Sequence, residues 1–503
     1  MKKRAEVSIH FLYSIISISV PLVISGIYVL AKLLRKNERK RFSIIEDGDA
    51  KDGILNNSPY PATWNSLGLE QPLVIAMVGL PARGKSYIVK MIIRYLSWTG
   101  FDCIVFNVGS HRRQLGLQGA DASFFDTNNE KAKALREEMA MNVQDDMYAW
   151  LNEQKTGPKR RVAIFDATNT TAERRLTLAY KARKENVFLL FVESICDDKS
   201  VLAKNYEMKL QNDDYKNVDP DIAKKDFMER VEAYEKVYEP IDDDEDSGNI
   251  SYVKLINVGQ KIIARNCTGY LPSQVSFYLQ NVHIHPRKIY LSLNSENFDL
   301  VEDLYHLKDN CRGTDSGRLT EDGRRYSLDL ARFIQYQQEH DSKDLHNSRL
   351  GKEVLVLAGT AKVHAETILH LRMLYSCYNT PLLNELRGGD LHGLNVDEIK
   401  KKFPDEFEKR LNDKLRYRYP GPGGESYIDV IERIKPVIIE LERQRRSVVV
   451  VCHLAVLRCI YAYFMGSKLE DIPYKPIRRH CVYELTPGPF GCTCTEFNPS
   501  DLL

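Results

Sequence analysis

The sequence predicts an α/β protein made of two successive domains, the first of them built around a parallel sheet. Short apolar runs of strand length alternate with segments of helical periodicity, once between residues 73 and 195 and again between residues 288 and 453. A chain of 503 residues, 43% of them hydrophobic, is long enough for two or more buried cores. A glycine-rich string directly after the first apolar run indicates a phosphate-binding loop in the first domain.

The N-terminal segment 1–36 contains a candidate membrane anchor. No residue from Phe11 to Ala31 is charged, and this length matches the roughly 30 Å of hydrocarbon that a spanning helix must cross. Three basic residues precede the stretch and six follow it, which favours a cytosolic location for everything C-terminal to it. A cleaved signal peptide and a buried or interfacial helix are the alternatives.

Residues 37–70 are polar and lack periodicity, so they are predicted to be a linker. The first folded domain is predicted over residues 71–285. Its predicted strands are Leu73 to Gly79, Cys103 to Gly109, Arg161 to Thr168 and Val187 to Ile195.

The second domain is predicted over residues 286–503. Its apolar runs follow Pro286 and again alternate with helical segments, which indicates another α/β unit. The predicted strands are Lys288 to Leu293, Glu353 to Gly359 and Ser447 to His453.

The charge balance excludes one class of partner. Lys plus Arg number 71 and Asp plus Glu number 69, so a net charge of +2 provides no broad basic surface for nucleic acid. The ten cysteines form no Cys-x-x-Cys pairs, which argues against a zinc site or a disulfide framework and favours reduced thiols in the cytoplasm.

The string from Gly79 to Ser86 matches G-x-x-x-x-G-K-[ST], and it stands between a predicted strand and a predicted helix. Glycines let the backbone N–H groups surround phosphate oxygens, and the helix that follows presents its positive end. Lys85 would reach the β and γ phosphates, and the Ser86 hydroxyl would bind Mg²⁺. An ordinary glycine turn is a weak alternative in this context.

Asp166 ends the third predicted strand of the first domain. A carboxylate there could hold the water shell of Mg²⁺ or accept a hydroxyl proton. An aspartate at a strand end is more often structural, but after a phosphate-binding loop it becomes the expected metal partner.

Five segments in order resemble the signatures of the 6-phosphofructo-2-kinase domain: GLPARGKS, FNVGSHRR, FDATNTTAERR, ESICDD and DFMERVEAYEKVYEPID. The resemblance covers residues 71–281. It implies that the 2-hydroxyl of fructose 6-phosphate attacks the γ-phosphate of ATP, with Mg²⁺ as cofactor, to give fructose 2,6-bisphosphate and ADP.

The same resemblance assigns expected roles. Catalysis would fall to Asp166, Lys85 and Cys196. ATP would be bound by Gly79, Leu80, Pro81, Ala82, Arg83, Gly84, Lys85, Ser86, Tyr87 and Asn205. Fructose 6-phosphate would be bound by Arg112 or Arg113, together with Arg136, Thr168, Arg174, Lys209, Arg230 and Tyr234. Two departures are visible: Ala172 replaces a frequent arginine, and the segment before Lys209 is one residue short.

Most arginines are solvated surface residues, and a cysteine after an apolar strand is usually a buried small residue. A functional role for these residues is therefore supported only by their match to the motifs of the family.

The second half resembles the bisphosphatase half of the same bifunctional family, a phosphoglycerate-mutase-like histidine phosphatase. The matching segments are DKLRYRYPGPGGESY, PVIIELERQ and VVVVCHLAVLRCIYAYF. Such enzymes transfer phosphate through the histidine of an R-H-G sequence, where this chain has Leu293 and Asn294. Val363 stands where a second arginine is expected, and His392 stands where the proton-donating glutamate is expected.

We therefore expect the bisphosphatase activity to be absent. A vestigial pocket is expected to contain Asn294, His392, Arg410, Lys414, Tyr427, His453 and Arg458. His306, or another histidine of the loop 298–318, is an alternative nucleophile.

Three hypotheses follow. The first is a monofunctional 6-phosphofructo-2-kinase with cytoplasmic domains that is anchored to a membrane, and the resemblance implies a homodimer as one candidate oligomeric state. The second is a non-catalytic sensor of ATP and sugar phosphates that signals through a partner. The third is a kinase that acts on another phosphorylated metabolite.

Overall fold

The computed structural model describes residues 71–117, 122–126, 129–153, 161–211, 214–216, 218–297, 318–344, 353–394, 396–488 and 491–501. The predicted anchor from Phe11 to Ala31, the predicted linker 37–70 and His306 lie outside these residues. Within the described ranges, none of the helices combines the length and the apolar character that crossing a bilayer requires.

The first sheet has six strands in the order β2-β3-β1-β4-β5-β6. Strands β1 to β5 run parallel, and β6 pairs antiparallel with β5. The strands are β1 Leu73–Val78, β2 Asp102–Asn107, β3 Arg161–Asp166, β4 Phe188–Ile195, β5 Tyr252–Ile256 and β6 Lys261–Arg265. The helices are α1 Lys85–Trp98, α2 Val108–Gln114, α3 Glu130–Asn152, α4 Ala172–Lys184, α5 Lys199–Leu210, α6 Pro220–Glu235 and α7 Tyr270–Asn281.

The second sheet also has six strands, in the order β12-β11-β7-β10-β8-β9. Strands β7 to β10 run parallel, whereas β11 pairs antiparallel with both β7 and β12. The strands are β7 Ile289–Leu293, β8 Val354–Ala358, β9 Ser376–Asn379, β10 Ser447–Cys452, β11 Val482–Gly488 and β12 Gly491–Phe497. The helices are α8 Glu321–Asp344, α9 Lys362–Thr367, α10 Leu371–Leu374, α11 Val396–Lys402, α12 Pro404–Asn412, α13 Tyr427–Arg443 and α14 Leu454–Met465.

The predicted α/β class is confirmed, but both sheets are mixed rather than parallel throughout. The seven predicted strands are all present, and the buried central ones are continuous apolar runs, as two-sided burial requires. The strands that sequence analysis missed include β6, β9 and β12, which lie at sheet edges with many exposed residues. Such strands lack the apolar run by which the others were found.

The hydrophobic core runs without a break from one sheet to the other, within one compact unit. Helices α1 and α7 cover one side of the first sheet and pack in turn against α13 and α14 of the second half. Tyr95 and Trp98 of α1 belong to the same buried cluster as Cys459 and Tyr463 of α14. Helix α1, which follows the phosphate-binding loop, is therefore covered by protein on both sides.

Candidate functional site

The loop between β1 and α1 has the backbone geometry that phosphate binding requires. Gly79, Ala82 and Gly84 have positive φ angles of 132°, 58° and 89°. A Cβ atom on Gly79 would lie 2.6 Å from the carbonyl oxygen of Ser194 on the neighbouring strand β4, so only glycine fits there. The loop then enters α1 directly at Lys85, which points the positive end of that helix into the site.

Lys85 lies at the base of this loop. Its Nζ donates hydrogen bonds to the carbonyl oxygens of Gly79 and Leu80, at 2.7 and 2.6 Å. Burial lowers the pKa of Lys85 to about 7, although the carboxylate of Asp166 opposes the shift. The ammonium is thus held in a low-dielectric position from which a polyphosphate could draw it away from the two carbonyl groups.

Asp166 ends β3, which lies beside β1, and is buried. Burial raises its pKa, while the cations of Lys85 and Lys209 and a hydrogen bond from Asn107 Nδ2, at 2.5 Å, oppose that rise. Asn107 ends the adjacent strand β2, so two neighbouring strand ends supply the carboxylate and its hydrogen-bond donor. A carboxylate and the exposed Ser86 hydroxyl are oxygen ligands of the kind that Mg²⁺ prefers.

One cavity of about 1310 Å³ contains nearly all the residues predicted for the first domain's site. Gly79 and Leu80 are not among the residues that line it, but they supply the carbonyls bound by Lys85. The predicted residues that line it are Pro81, Ala82, Arg83, Gly84, Lys85, Ser86, Tyr87, Arg112, Arg113, Arg136, Asp166, Thr168, Arg174, Cys196, Asn205, Lys209, Arg230 and Tyr234.

Arg112 and Arg113 differ in their availability. Arg112 is buried and donates twice to Asp214, at 2.8 and 2.6 Å. Arg113 is about one quarter exposed, lies 3.6 Å from the same carboxylate and donates to the Ser110 hydroxyl at 3.0 Å. Of the two alternatives, Arg113 is therefore the better candidate for binding a phosphate, and Arg112 has a structural partner.

Other arginines reach the cavity from different helices. Arg230 of α6 stacks over the ring of Phe125 at 3.8 Å and lies 3.9 Å from Asp214. Arg174 of α4 donates to the Asn169 side chain at 3.2 Å, and burial lowers its pKa. Arg136 of α3 donates to the carbonyl oxygen of Phe124. Guanidinium groups on three helices thus converge on one volume, as recognition of a phosphate dianion requires.

Two further predicted residues lie on the nucleotide side. Asn205 Nδ2 donates to the carbonyl oxygen of Ala82 at 2.9 Å, which ties α5 to the phosphate loop. Cys196 is buried just after β4, and burial raises the pKa of its thiol. A thiol of this kind is a poor nucleophile, so a covalent role for Cys196 has no support in its surroundings.

Several residues of the pocket predicted for the second domain lie where β7 and β10 end. Leu293 and Asn294 are buried at the end of β7, and the backbone N–H of Asn294 donates to the carbonyl oxygen of Cys452 at 3.1 Å. His453 follows β10 directly, and Val363 is buried in α9. Leucine, asparagine and valine thus stand at three positions where the resemblance implies two arginines and a histidine.

His392 does not belong to this pocket, which corrects the sequence-based prediction. It is exposed at the end of a short 3₁₀ turn, whereas the carboxylate of Glu385 lies 3.7 Å from Nδ1 of His453. Burial raises the pKa of Glu385, whereas burial and the cations of Arg479 and Arg433 together lower the pKa of His453 to about 3. Burial thus disfavours the charged form of both groups, and the imidazole of His453 is neutral at neutral pH.

The remaining predicted pocket residues fall into two groups. Arg458 donates to the Tyr427 hydroxyl at 3.1 Å and to the carbonyl oxygen of Lys475 at 2.9 Å, so this pair stands in the wall of the second sheet's core. Lys414 lies over the ring of Tyr474, at 5.8 Å from its centroid. Arg410 is in α12 and is partly exposed.

Sequence analysis missed Asp214, Glu385 and Arg479. Arg479 donates to the carbonyl oxygen of Asn294 at 3.4 Å, and burial lowers its pKa. These residues stand in turns and loops outside the quoted motifs, and only long-range contacts bring them to the sites. Glu385 stands in the segment Leu383 to Leu386, and only the fold brings its carboxylate to His453.

Two family descriptions match the sequence. Residues 62–286 match 6-phosphofructo-2-kinase, and residues 306–500 match the histidine phosphatase superfamily, branch 1. The second match begins after β7, so Leu293 and Asn294 lie outside it.

Several curated relatives are similar over most of the chain. A probable 6-phosphofructo-2-kinase of Schizosaccharomyces pombe is 38% identical over 85% of this chain and 70% of its own length. 6-phosphofructo-2-kinase 1 of Saccharomyces cerevisiae is 40% identical over 84% of this chain and 51% of its own length. A 6-phosphofructo-2-kinase/fructose-2,6-bisphosphatase of Caenorhabditis elegans is 40% identical, over 85% of this chain and 89% of its own length.

Proposed function

Because the chain belongs to the 6-phosphofructo-2-kinase/fructose-2,6-bisphosphatase family, we propose that it phosphorylates fructose 6-phosphate with ATP. The 2-hydroxyl oxygen of the sugar forms a bond to the γ-phosphorus, and the bond to the β–γ bridging oxygen breaks. ADP leaves, and the hydroxyl proton passes to Asp166 or to solvent.

The observation that supports the reaction best is the shared cavity. Lys85 and Asp166 lie at one part of it, and the arginines of α2, α4 and α6 line the same volume. The nucleotide phosphates and a sugar phosphate could therefore bind next to each other in one cavity. Phosphoryl transfer depends on this positioning of the two substrates.

Ser86 and Asp166 are the residues that would hold Mg²⁺, which neutralises charge on the β and γ phosphates when it is bound. In this chain, Lys85 would leave the carbonyls of Gly79 and Leu80 to bind phosphate oxygens. Arg113 and Arg230 would orient the 6-phosphate of the sugar.

The decisive experiment incubates the full chain with Mg-ATP and fructose 6-phosphate and measures acid-labile fructose 2,6-bisphosphate. We expect product from the parent and none from the Asp166→Asn variant. Binding of ATP without product would instead support the non-catalytic sensor. Product from another phosphorylated sugar alone would support a kinase for that sugar.

We further infer that the second domain does not hydrolyse fructose 2,6-bisphosphate. Support comes from Leu293, Asn294 and Val363, none of which can accept or neutralise a phosphoryl group. His453 and Glu385 remain, but a proton donor without a nucleophile completes no transfer. Release of phosphate from labelled fructose 2,6-bisphosphate by the purified chain would contradict this inference.

The anchor from Phe11 to Ala31 also remains a proposal, supported by its uncharged length and its basic flanks. Alkaline carbonate extraction of cell membranes tests it. Retention in the membrane pellet is expected, and release into the supernatant would contradict a spanning helix.

A further inference from the structure

A buried cluster of charges joins the P-loop helix to the second domain. The carboxylate of Glu442, on α13, accepts hydrogen bonds from Arg94 of α1 and from Arg287, the latter at 2.7 Å. Its side chain is only 1% exposed, and those of Arg94 and Arg287 are 12% and 3% exposed. Burial alone would raise the pKa of Glu442, but the two guanidinium groups hold it below its ordinary value, so the cluster is ionised.

Aromatic residues complete the cluster. The Tyr463 hydroxyl donates to Glu442 at 2.7 Å and also pairs with the Tyr278 hydroxyl of α7 at 2.9 Å. The guanidinium of Arg94 lies over the Tyr463 ring at 4.7 Å. Nearby, Trp98 Nε1 donates to the carbonyl oxygen of Cys459 at 2.9 Å. The C-terminal half of α1 is therefore fixed by directional contacts as well as by apolar packing.

The geometry of α1 links this cluster to the nucleotide site. The helix is 14 residues long, and Lys85 is its first residue. With a rise of about 1.5 Å per residue, Arg94 lies only about 14 Å along the axis from Lys85. A rigid helix transmits a shift at one end to the other, and misplacement of catalytic groups by about 1 Å can cost about 100-fold in rate.

We propose that the second domain is a structural part of the kinase site, in which Glu442 and Arg94 are positioning residues that hold α1 and its phosphate loop in the nucleotide-binding position. The proposal rests on the nucleotide site of the proposed function and not on the identity of the acceptor. It assigns a role to a domain whose own pocket lacks a nucleophile.

The proposal makes a selective prediction. The predicted sugar-phosphate residues stand mainly on α2, α3, α4 and α6, whereas α1 and α7 are the first-domain helices that pack on α13 and α14. Loosening the cluster should therefore weaken nucleotide binding and leave the KM for fructose 6-phosphate unchanged. A general loss of stability would change both the Mg-ATP affinity and the KM for fructose 6-phosphate, or neither of them.

The test uses the full chain and the substitution Glu442→Gln, which leaves two buried guanidinium groups without a carboxylate. Binding of Mg-ATP is measured by calorimetry at a temperature where circular dichroism shows a fully folded protein. We expect Mg-ATP to bind about tenfold more weakly or worse, and the KM for fructose 6-phosphate to change less than about twofold. Tyr463→Phe removes the hydroxyl that bonds to Glu442 and to Tyr278, and should weaken Mg-ATP binding about threefold.

Glu440→Gln is the matched control, because Glu440 is on the same helix and pairs with the exposed Arg443. It should leave both constants at the parent values. Should Glu442→Gln fail to fold, Arg94→Lys and Tyr463→Phe carry the same test. Equal Mg-ATP affinities in these variants and the control, or parallel changes in both constants, would overturn the proposal.

Failure of the proposal and failure of the proposed function give different results. If the parent protein binds Mg-ATP but makes no fructose 2,6-bisphosphate, the proposed acceptor is wrong, and the test of Glu442 and Arg94 by Mg-ATP binding stays valid. A parent protein that does not bind Mg-ATP refutes both.

Discussion

The two pockets of this molecule lie at equivalent places, where the central parallel strands of a six-stranded sheet end, yet they differ in the charges that remain available. The first brings Lys85, Asp166 and several arginines into one cavity. In the second, Leu293, Asn294 and Val363 stand where cations and a nucleophile are expected. The comparison teaches that packing preserves a fold independently of the side chains at its strand ends.

Burial acts on both pockets in the same direction but with different consequences. It lowers the pKa of Lys85 to about 7 against the opposing field of Asp166. It lowers the pKa of His453 to about 3, and Arg479 and Arg433 add to the shift. At neutral pH the first pocket can thus still place a positive charge on its ligand, whereas His453 is neutral.

The largest effect is expected at Asp166, whose charge belongs to the first of the two pockets compared. Asp166→Asn keeps the shape of the side chain but removes the negative charge that we propose to hold Mg²⁺ and to accept the hydroxyl proton. We expect formation of fructose 2,6-bisphosphate to fall about 1000-fold or more, as for other single groups that act on transition-state charge. Product formation from Mg-ATP and fructose 6-phosphate measures this, with the exposed Lys224→Ala as a control. A variant within tenfold of the parent would contradict the assignment.

A smaller effect is expected from substituting Arg113 or Arg112, and the two variants should differ in the property that changes. Arg113→Ala should raise the KM for fructose 6-phosphate about 10- to 100-fold, the value of a charged hydrogen bond to phosphate, with little loss of stability. Arg112→Ala removes the two hydrogen bonds that Arg112 donates to the buried carboxylate of Asp214, and should lower the free energy of unfolding by about 3–5 kcal/mol.

Steady-state kinetics and urea unfolding of both variants distinguish the two roles. The opposite pattern, with kinetics changed by Arg112 and stability by Arg113, would show that the arginine facing the sugar is Arg112.

The pH dependence of nucleotide binding should reveal Lys85. A polyphosphate favours the ammonium form, and free Lys85 loses its proton as the pH rises through about 7. Mg-ATP affinity should therefore fall by up to about tenfold per pH unit above 7, with a proton taken up on binding at pH 8.5. Calorimetry in buffers of different ionisation enthalpy measures this uptake. Lys85→Arg keeps its charge at these pH values, so the uptake should vanish; persistence of the uptake would assign it to another group.

The smallest effect is expected from restoring one residue of the second pocket. Asn294→His alone should give no detectable hydrolysis of fructose 2,6-bisphosphate, because Leu293 and Val363 still replace the two arginines that the resemblance implies. The triple variant Leu293→Arg/Asn294→His/Val363→Arg supplies the missing groups beside His453 and Glu385. Hydrolysis by the single variant would show that the two pockets differ by less than proposed.

The sequence predicted the α/β class and the seven most regular strands, because buried parallel strands are continuous apolar runs. The phosphate loop was equally visible, since its function depends on backbone geometry that a short string determines. Edge strands such as β6, β9 and β12 were missed because half-exposed strands carry no such run.

The sites were less predictable where partners are distant in sequence. The pairing of Arg112 with Asp214 crosses about one hundred residues, so no local pattern could show which arginine is free. His392 was placed in the second pocket on register alone, within a segment of short turns where a register shift has no signature. The Glu385–His453 contact could be found only from the fold.

The continuous core between the two halves determines which substitutions and deletions the protein can tolerate. Substitutions at the strand ends of the second sheet would leave its apolar core covered, so they would not harm folding. Deletion of that half would instead expose Tyr95, Trp98 and Tyr278 to water and strip the outer cover from the helix that follows the phosphate loop. We therefore expect a shortened gene product ending before β7 to aggregate.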